Sequence, residues 1–142
     1  MKIPDANVLL YAGDASAAHS ASARAWLEEA LSGTDPIGFA LVVLLAFVRI
    51  ATNPRIFESP LKPATAFDQV EEWLAQAPAT LVEPGPLHLR IWRNLMEVSG
   101  ATGNLTNDAH LAALAIEHGA TLTSFDGDMH RFPDLKLEYL RS

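Results

Sequence analysis

Cysteine is absent from the 142 residues. That rules out disulfides and thiolate metal sites, so a bound metal must be held by oxygen or imidazole. Positive charge is scarce as well: 10 Lys and Arg face 17 Asp and Glu, for a net charge of −7. A protein that coats nucleic acid generally would be basic, and that class is excluded. An enzyme that grips a few phosphates through a metal and a handful of arginines is not, because part of the negative charge is then the metal site itself. Long apolar runs are missing too. The longest, Pro36 to Val48, is ~13 residues, short of the ~18 that suggest a membrane span. The first apolar run is broken by Asp5 and Asn7, unlike the core of a secretory leader. A cytoplasmic protein with no membrane contact is expected.

What is present is ordinary for a globular chain: 49% hydrophobic and 19% charged residues, within the usual range. Such a length is most simply one domain, residues 1–142, burying roughly two-thirds of its unfolded surface. Strands are expected at Lys2–Asp5, Ile37–Ala40, Thr80–Val82, Ala120–Ser124 and Leu135–Leu140. Helices are expected at Asn7–Tyr11, Ala15–Ser32, Leu41–Thr52, from Pro63 onward, Leu87–Val98 and Asp108–His118. Leu41–Thr52 is apolar almost all round, which predicts burial on most faces. The helix after Pro63 carries Ala66, Phe67, Val70, Trp73 and Leu74 as its stripe, and Leu87, Ile91, Leu95 and Val98 form that of the next. Strands alternating with helices predict an α/β sandwich around a mostly parallel sheet of four to five strands.

Four aspartates stand beside these apolar elements. Asp5 closes the first strand, Asp108 begins an Ala/Leu-rich helix, and Asp126 and Asp128 follow the fourth strand. Carboxylates next to buried elements are costly unless paired, hydrogen-bonded or bound to a cation. In open α/β sheets ligands bind beyond the carboxyl ends of the strands, and Asp5 and Asp126 lie at such ends. Each acid alone has a structural explanation: Asp5 as a helix cap, Asp108 in a helix first turn, and Asp126-Gly127-Asp128 as a turn. The spacing permits all four to converge at one edge of the sheet, which would suit one divalent cation. The five histidines do not join it. His110 falls on another face from Asp108, His118 ends a helix, and His19, His88 and His130 fall in surface segments.

The segments Ile3-Pro4-Asp5-Ala6-Asn7-Val8-Leu9-Leu10-Tyr11, Arg49 to Arg55, Asn107-Asp108-Ala109-His110-Leu111, and His118 to Phe132 resemble the PIN-domain ribonucleases. Within that family the match is to the VapC-type toxins of toxin–antitoxin pairs, over essentially the whole chain. The resemblance implies a three-layer α/β/α fold, Mg²⁺ or Mn²⁺ held by acids, RNA as substrate, a VapB-type antitoxin as partner, and a homodimer. It assigns Asp5, Asp108 and Asp126 to metal and catalysis, with Asp128 as the additional acid. One position departs. The family places a glutamate about three residues before an Arg like Arg49, and here Ala46 stands there, as in one branch of these toxins.

Oxygen donors suit Mg²⁺, which keeps several waters and needs only one or two direct carboxylates. Asp5 and Asp108 are the expected ligands, with Asp126 and Asp128 holding metal waters or orienting the attacking water. Converging carboxylates repel, so raised pKa values are expected. Asn7, Asn104 and Ser124 are candidates to hydrogen-bond the acids. Arg49 and Arg55 flank the presumed site and could reach RNA phosphate. Two alternatives remain: an RNA- or antitoxin-binding module that lost catalysis with the glutamate, and a phosphatase with an Asp5 nucleophile. The latter needs a lysine at the phosphate, and Lys2, Lys62 and Lys136 lie in no convincing motif.

Overall fold

A computed structural model describes residues 1–141. Five strands, β1 (Lys2–Pro4), β2 (Ile37–Ala40), β3 (Ala79–Val82), β4 (Thr121–Ser124) and β5 (Lys136–Tyr139), form one sheet of order β3-β2-β1-β4-β5. Every pairing is parallel. The expected mostly parallel sheet is therefore entirely so. Parallel strands need crossovers; among the described residues six helices provide those up to β4, namely α1 (Ala6–Gly13), α2 (Ser20–Ser32), α3 (Leu41–Ala51), α4 (Pro63–Leu74), α5 (His88–Ser99) and α6 (Thr106–Glu117), and a 3-10 turn, Gly127–Arg131, lies between β4 and β5. α1 packs on α2 and α3, α3 on α4, and α5 on α6, giving helical layers around the sheet. No helix among the described residues is long and apolar enough to cross a membrane.

Local sequence sets the boundaries. Pro63 starts α4, where its missing N–H costs nothing, and Gly119 ends α6 at φ 62°, a conformation glycine adopts without strain. β2 is buried at all four residues, as expected for an inner parallel strand. Gly38 within it has no room for a side chain: a Cβ would meet Val82 of β3 and come within 3.1 Å of Ile3 of β1. The core joins Ile3, Phe39, Leu122 and the buried faces of α3, α4 and α6. Phe39 stacks on Trp73 at 6.1 Å, and Phe47 meets the same indole edge-on at 4.9 Å.

Three patterns differ from expectation. The helix buried nearly all round is α6, where Ala109 and Leu111 to Ala115 are all buried, because small alanines let it sit close to its neighbours. α3 instead buries Val43, Leu44, Phe47 and Ala51 and leaves Leu41 and Leu45 64% and 58% exposed. On α5 the inner residues are His88 and Leu95, with Ile91 and Trp92 half-buried, whereas Leu87 and Val98 are exposed. Phe67 of α4 is likewise outside. α2 starts at Ser20, after a turn, rather than at Ala15.

Candidate active site

The chain leaves β1 toward β2 and β3 on one side and returns to β4 and β5 on the other, so the sheet changes direction between β1 and β4. Such a switch point opens a crevice at the carboxyl ends of the two strands. Register puts Pro4 opposite Thr123, and the Asp5 N–H continues the ladder to the Thr123 carbonyl at 2.8 Å. Asp5 is therefore brought next to Ser124, which lies 119 residues along the chain.

Ser124 is fully buried and organises the crevice. Its Oγ donates to Asp5 Oδ2 at 2.8 Å. It accepts from Asn7 Nδ2 at 3.1 Å and from the Asp126 N–H at 3.0 Å. Asn7 Oδ1 in turn accepts the Phe125 N–H at 3.1 Å. Asp5 also caps α1 through the Ala6 N–H at 2.7 Å, so the helix-cap reading holds, while its other carboxylate oxygen is turned to Ser124. Asp126 begins the 3-10 turn Gly127–Arg131 by accepting the Asp128 N–H at 2.9 Å. Asp108 lies in the first turn of α6, half-buried.

The charges confirm proximity. Burial raises the Asp5 carboxyl above the usual carboxylate range, and the charge of Asp126 adds to this against the hydrogen bonds from Ser124 and Ala6. Burial first, then Asp5, Asp126 and Asp128, raise Asp108, while Arg131 opposes them. The four predicted acids thus share one region. Among the described residues, no three His, Asp or Glu side chains form a ready-made cation cage. The donor set still fits a hard divalent ion, which takes one or two carboxylates and water, and a cation would relieve the repulsion that raises Asp5 and Asp108.

Other expectations fare unevenly. Asn7 and Ser124 do hydrogen-bond within the site, but Asn104 is exposed and bonds none of the acids among the described residues. Ala46 is half-buried on α3, which carries no acid. Arg49 and Arg55 are exposed and pair with none of the site acids among the described residues. The phosphatase loses one of its lysines, since Lys2 pairs with Glu138 at 3.0 Å.

His88 is buried, not superficial. Its Nε2 lies 2.9 Å from His110 Nδ1, and its Nδ1 has no partner among the described residues. A buried N–H without an acceptor is costlier than a bare ring nitrogen, so the proton belongs on His88 Nε2, donated to His110. Burial lowers both pKa values. Trp92 Nε1 donates to the Thr106 carbonyl at 3.3 Å. α5 thereby holds the first turn of α6, which carries Asp108. Neither histidine stood out in sequence, because burial at position 88 depends on how α5 rotates against α6.

Ser124→Ala should unpair an amide of Asn7 and the Asp126 N–H, costing about 1–3 kcal/mol of stability. It should also lower cation affinity roughly 10–100-fold, the usual cost of losing a residue that orients a ligand. Thermal melts and Mn²⁺ titration measure the two effects separately.

Residues 2–135 match the PIN domain family. The chain is 48% identical over 136 residues to ribonuclease VapC37 of Mycobacterium tuberculosis, covering 96% of this chain and 94% of the relative. Ribonuclease VapC33 of the same species is 41% identical over 136 residues, covering 96% and 95%. Among solved structures, VapBC2 from Rickettsia felis, bound to a DNA fragment from its promoter, superposes with TM-score 0.71 at 22% identity over 97% of both chains. M. tuberculosis VapC20, described as a Sarcin-Ricin loop cleaving toxin, gives 0.65 at 16% identity, covering 96% of this chain and 99% of that one. At those identities the superpositions speak for the fold, and the sequence matches for kinship. The chain belongs to the PIN-domain family, in its VapC-type branch.

Proposed function

We propose that the protein is a divalent-metal-dependent endoribonuclease, the toxin of a type II toxin–antitoxin pair. The observation that carries this is the buried Ser124 holding Asp5 and the Asp126 backbone together at the β1–β4 crevice, in a chain 48% identical to a named ribonuclease. Asp5 and Asp108 would hold Mg²⁺, with Mn²⁺ as substitute, and Asp126 would share its water shell. Bound there, the cation would acidify water and offset charge on the phosphate. The chain's own residues do the rest. Ser124 and Asn7 fix Asp5, α5 holds the turn bearing Asp108, and Asp126 sits beside Asp5, where it can orient the attacking water. Hydrolysis adds water across one P–O bond, leaving a phosphate monoester on one fragment and a hydroxyl on the other.

A VapB-type antitoxin is the proposed partner, since structures similar in fold, from R. felis and from Haemophilus influenzae, are VapBC complexes. Exposed Leu41 and Leu45, one turn apart on α3, favour a further protein contact and suit the proposed homodimer.

A second reading rests on Ala46: with no acid on α3, the chain would bind RNA or antitoxin without cutting. Purified protein incubated with total RNA and Mn²⁺ decides between them. Cleavage that stops in EDTA is the expected result. Cleavage no greater than that of an Asp5→Ala control would establish the binding module instead.

A further inference from the structure

We propose that Arg131 receives the RNA phosphate at this site, and that Asp128 positions its guanidinium rather than holding the cation. The inference rests on the ribonuclease reading above and reassigns Asp128, the fourth of the acids the sequence singles out.

The geometry is a single hydrogen-bonded chain. From Asp5 it runs through Ser124 Oγ to the Asp126 N–H, and from Asp126 Oδ1 to the Asp128 N–H. The 3-10 turn then folds Arg131 back so that its Nε donates to the Asp128 carbonyl at 3.0 Å. Its Nη2 stands 3.9 Å from Asp128 Oδ2, too far for a hydrogen bond but close enough to be steered. Anchoring through Nε leaves the two Nη groups as a fork, the geometry that matches two phosphate oxygens. Exposure divides the pair in the same sense: the Asp128 side chain is 79% exposed and that of Arg131 35%. An acid so far into solvent is a poor anchor for a crevice cation, while an exposed arginine tethered to the same turn is accessible to a phosphate at its rim.

Electrostatics support the placement. Arg131 lies near enough to Asp108 for its charge to act on that carboxyl, against three aspartates. A chain of net charge −7 repels RNA at long range, so a fixed positive charge beside the acids is what a phosphate would need on arrival. Arg49 and Arg55 have no comparable tie to the acids among the described residues.

The test uses the full chain and three probes: Mn²⁺ alone, total RNA, and a mixed-sequence RNA oligonucleotide in Ca²⁺. Asp128→Asn should keep Mn²⁺ affinity within about threefold of wild type, while Asp108→Asn should lose roughly tenfold or more. Arg131→Ala should slow cleavage by about 10²-fold, the usual cost of a lost charge-stabilising donor. Arg131→Lys should recover part of that, since it restores charge but not the fork. Adding Asp128→Asn to Arg131→Ala should slow cleavage no further, because the acid acts through the arginine. Arg131→Ala should also lower the salt dependence of oligonucleotide binding by about one phosphate contact. A tenfold loss of Mn²⁺ affinity in Asp128→Asn would make Asp128 a ligand and overturn the assignment. So would oligonucleotide binding and salt dependence unchanged in Arg131→Ala. If wild-type protein cuts no RNA, the ribonuclease reading fails, and the Mn²⁺ and oligonucleotide arms still decide the roles of Asp128 and Arg131.

Discussion

Asp5→Asn should reduce RNA cleavage by at least ~10²-fold, since even residues behind a metal ligand cost 10–100-fold, and it should raise thermal stability at the same time. The substitution keeps shape and an acceptor for Ser124 or for the Ala6 N–H, and it removes the charge. Burial, with the Asp126 charge behind it, holds the Asp5 carboxyl above its ordinary value of 3.8. A raised carboxyl pKa means the folded state binds the proton more tightly than the unfolded chain. Its contribution to stability is therefore fully present below the unfolded value and is lost as pH rises through the folded one. Once ionised, Asp5 opposes folding, and asparagine removes that opposition. The metal-free variant should melt a few degrees higher, on a scale of ~2–4 °C per kcal/mol for a domain of this size. Added Mn²⁺ should raise the melting temperature of wild type but hardly that of the variant, because only a ligand that binds the folded state stabilises it. Since Asp108 is raised too and cations bind the ionised forms, wild-type cleavage should fall with pH earlier than an ordinary carboxylate would require. Calorimetry and cleavage time courses on the same preparations test all of this. An Asp5→Asn protein that cuts RNA normally, or melts lower, would contradict the site.

Phe39→Ala should destabilise the fold by roughly 3–5 kcal/mol, the cost of emptying a fully buried aromatic site. Phe39 is 0% exposed and lies flat on Trp73 at 6.1 Å with an interplanar angle of 7°. Trp73 is also the surface against which Phe47 packs. Truncation therefore opens a void where β2, α3 and α4 meet, and rigid strand neighbours cannot close it. Against a total stability of about 5–15 kcal/mol, the loss is large enough to lower the melting temperature by ten degrees or so. Phe39→Leu should cost much less. A urea titration giving under 1 kcal/mol for Phe39→Ala would mean that this junction is not packed as described.

The strand–helix alternation is readable because inner parallel strands such as β2 are apolar throughout and helices stop at signals such as Asn53-Pro54 and Gly119. The acids are readable because each adjoins an apolar element: Asp5 and Asp126 follow strands and Asp108 begins a helix. Helix rotation was less so. α3 looks apolar on every side, yet it has only one sheet and two helices to meet, and Leu41 and Leu45 are left outside. α6, with less hydrophobic residues, is buried because alanine permits close approach. His88 and Arg131 depended on pairing across 22 residues and on a turn that folds back three residues to Asp128. Periodicity carries no signal for either. Asn104 failed for the converse reason: nearness in sequence to Asp108 did not bring it to the crevice.

The central position of β1 has a kinetic consequence. Its two neighbours are β2 and β4, and β4 is among the last elements in chain order. A ribosome making this protein releases Asp5 early and its partner Ser124 only 119 residues later. Closing so long a loop is slow and entropically costly. Until then β1 lacks one flank and the crevice has only one wall. Nascent chains would thus carry no assembled acid cluster, and topology would shield the machinery of synthesis from any cleavage at the crevice until Ser124 has emerged and paired with Asp5.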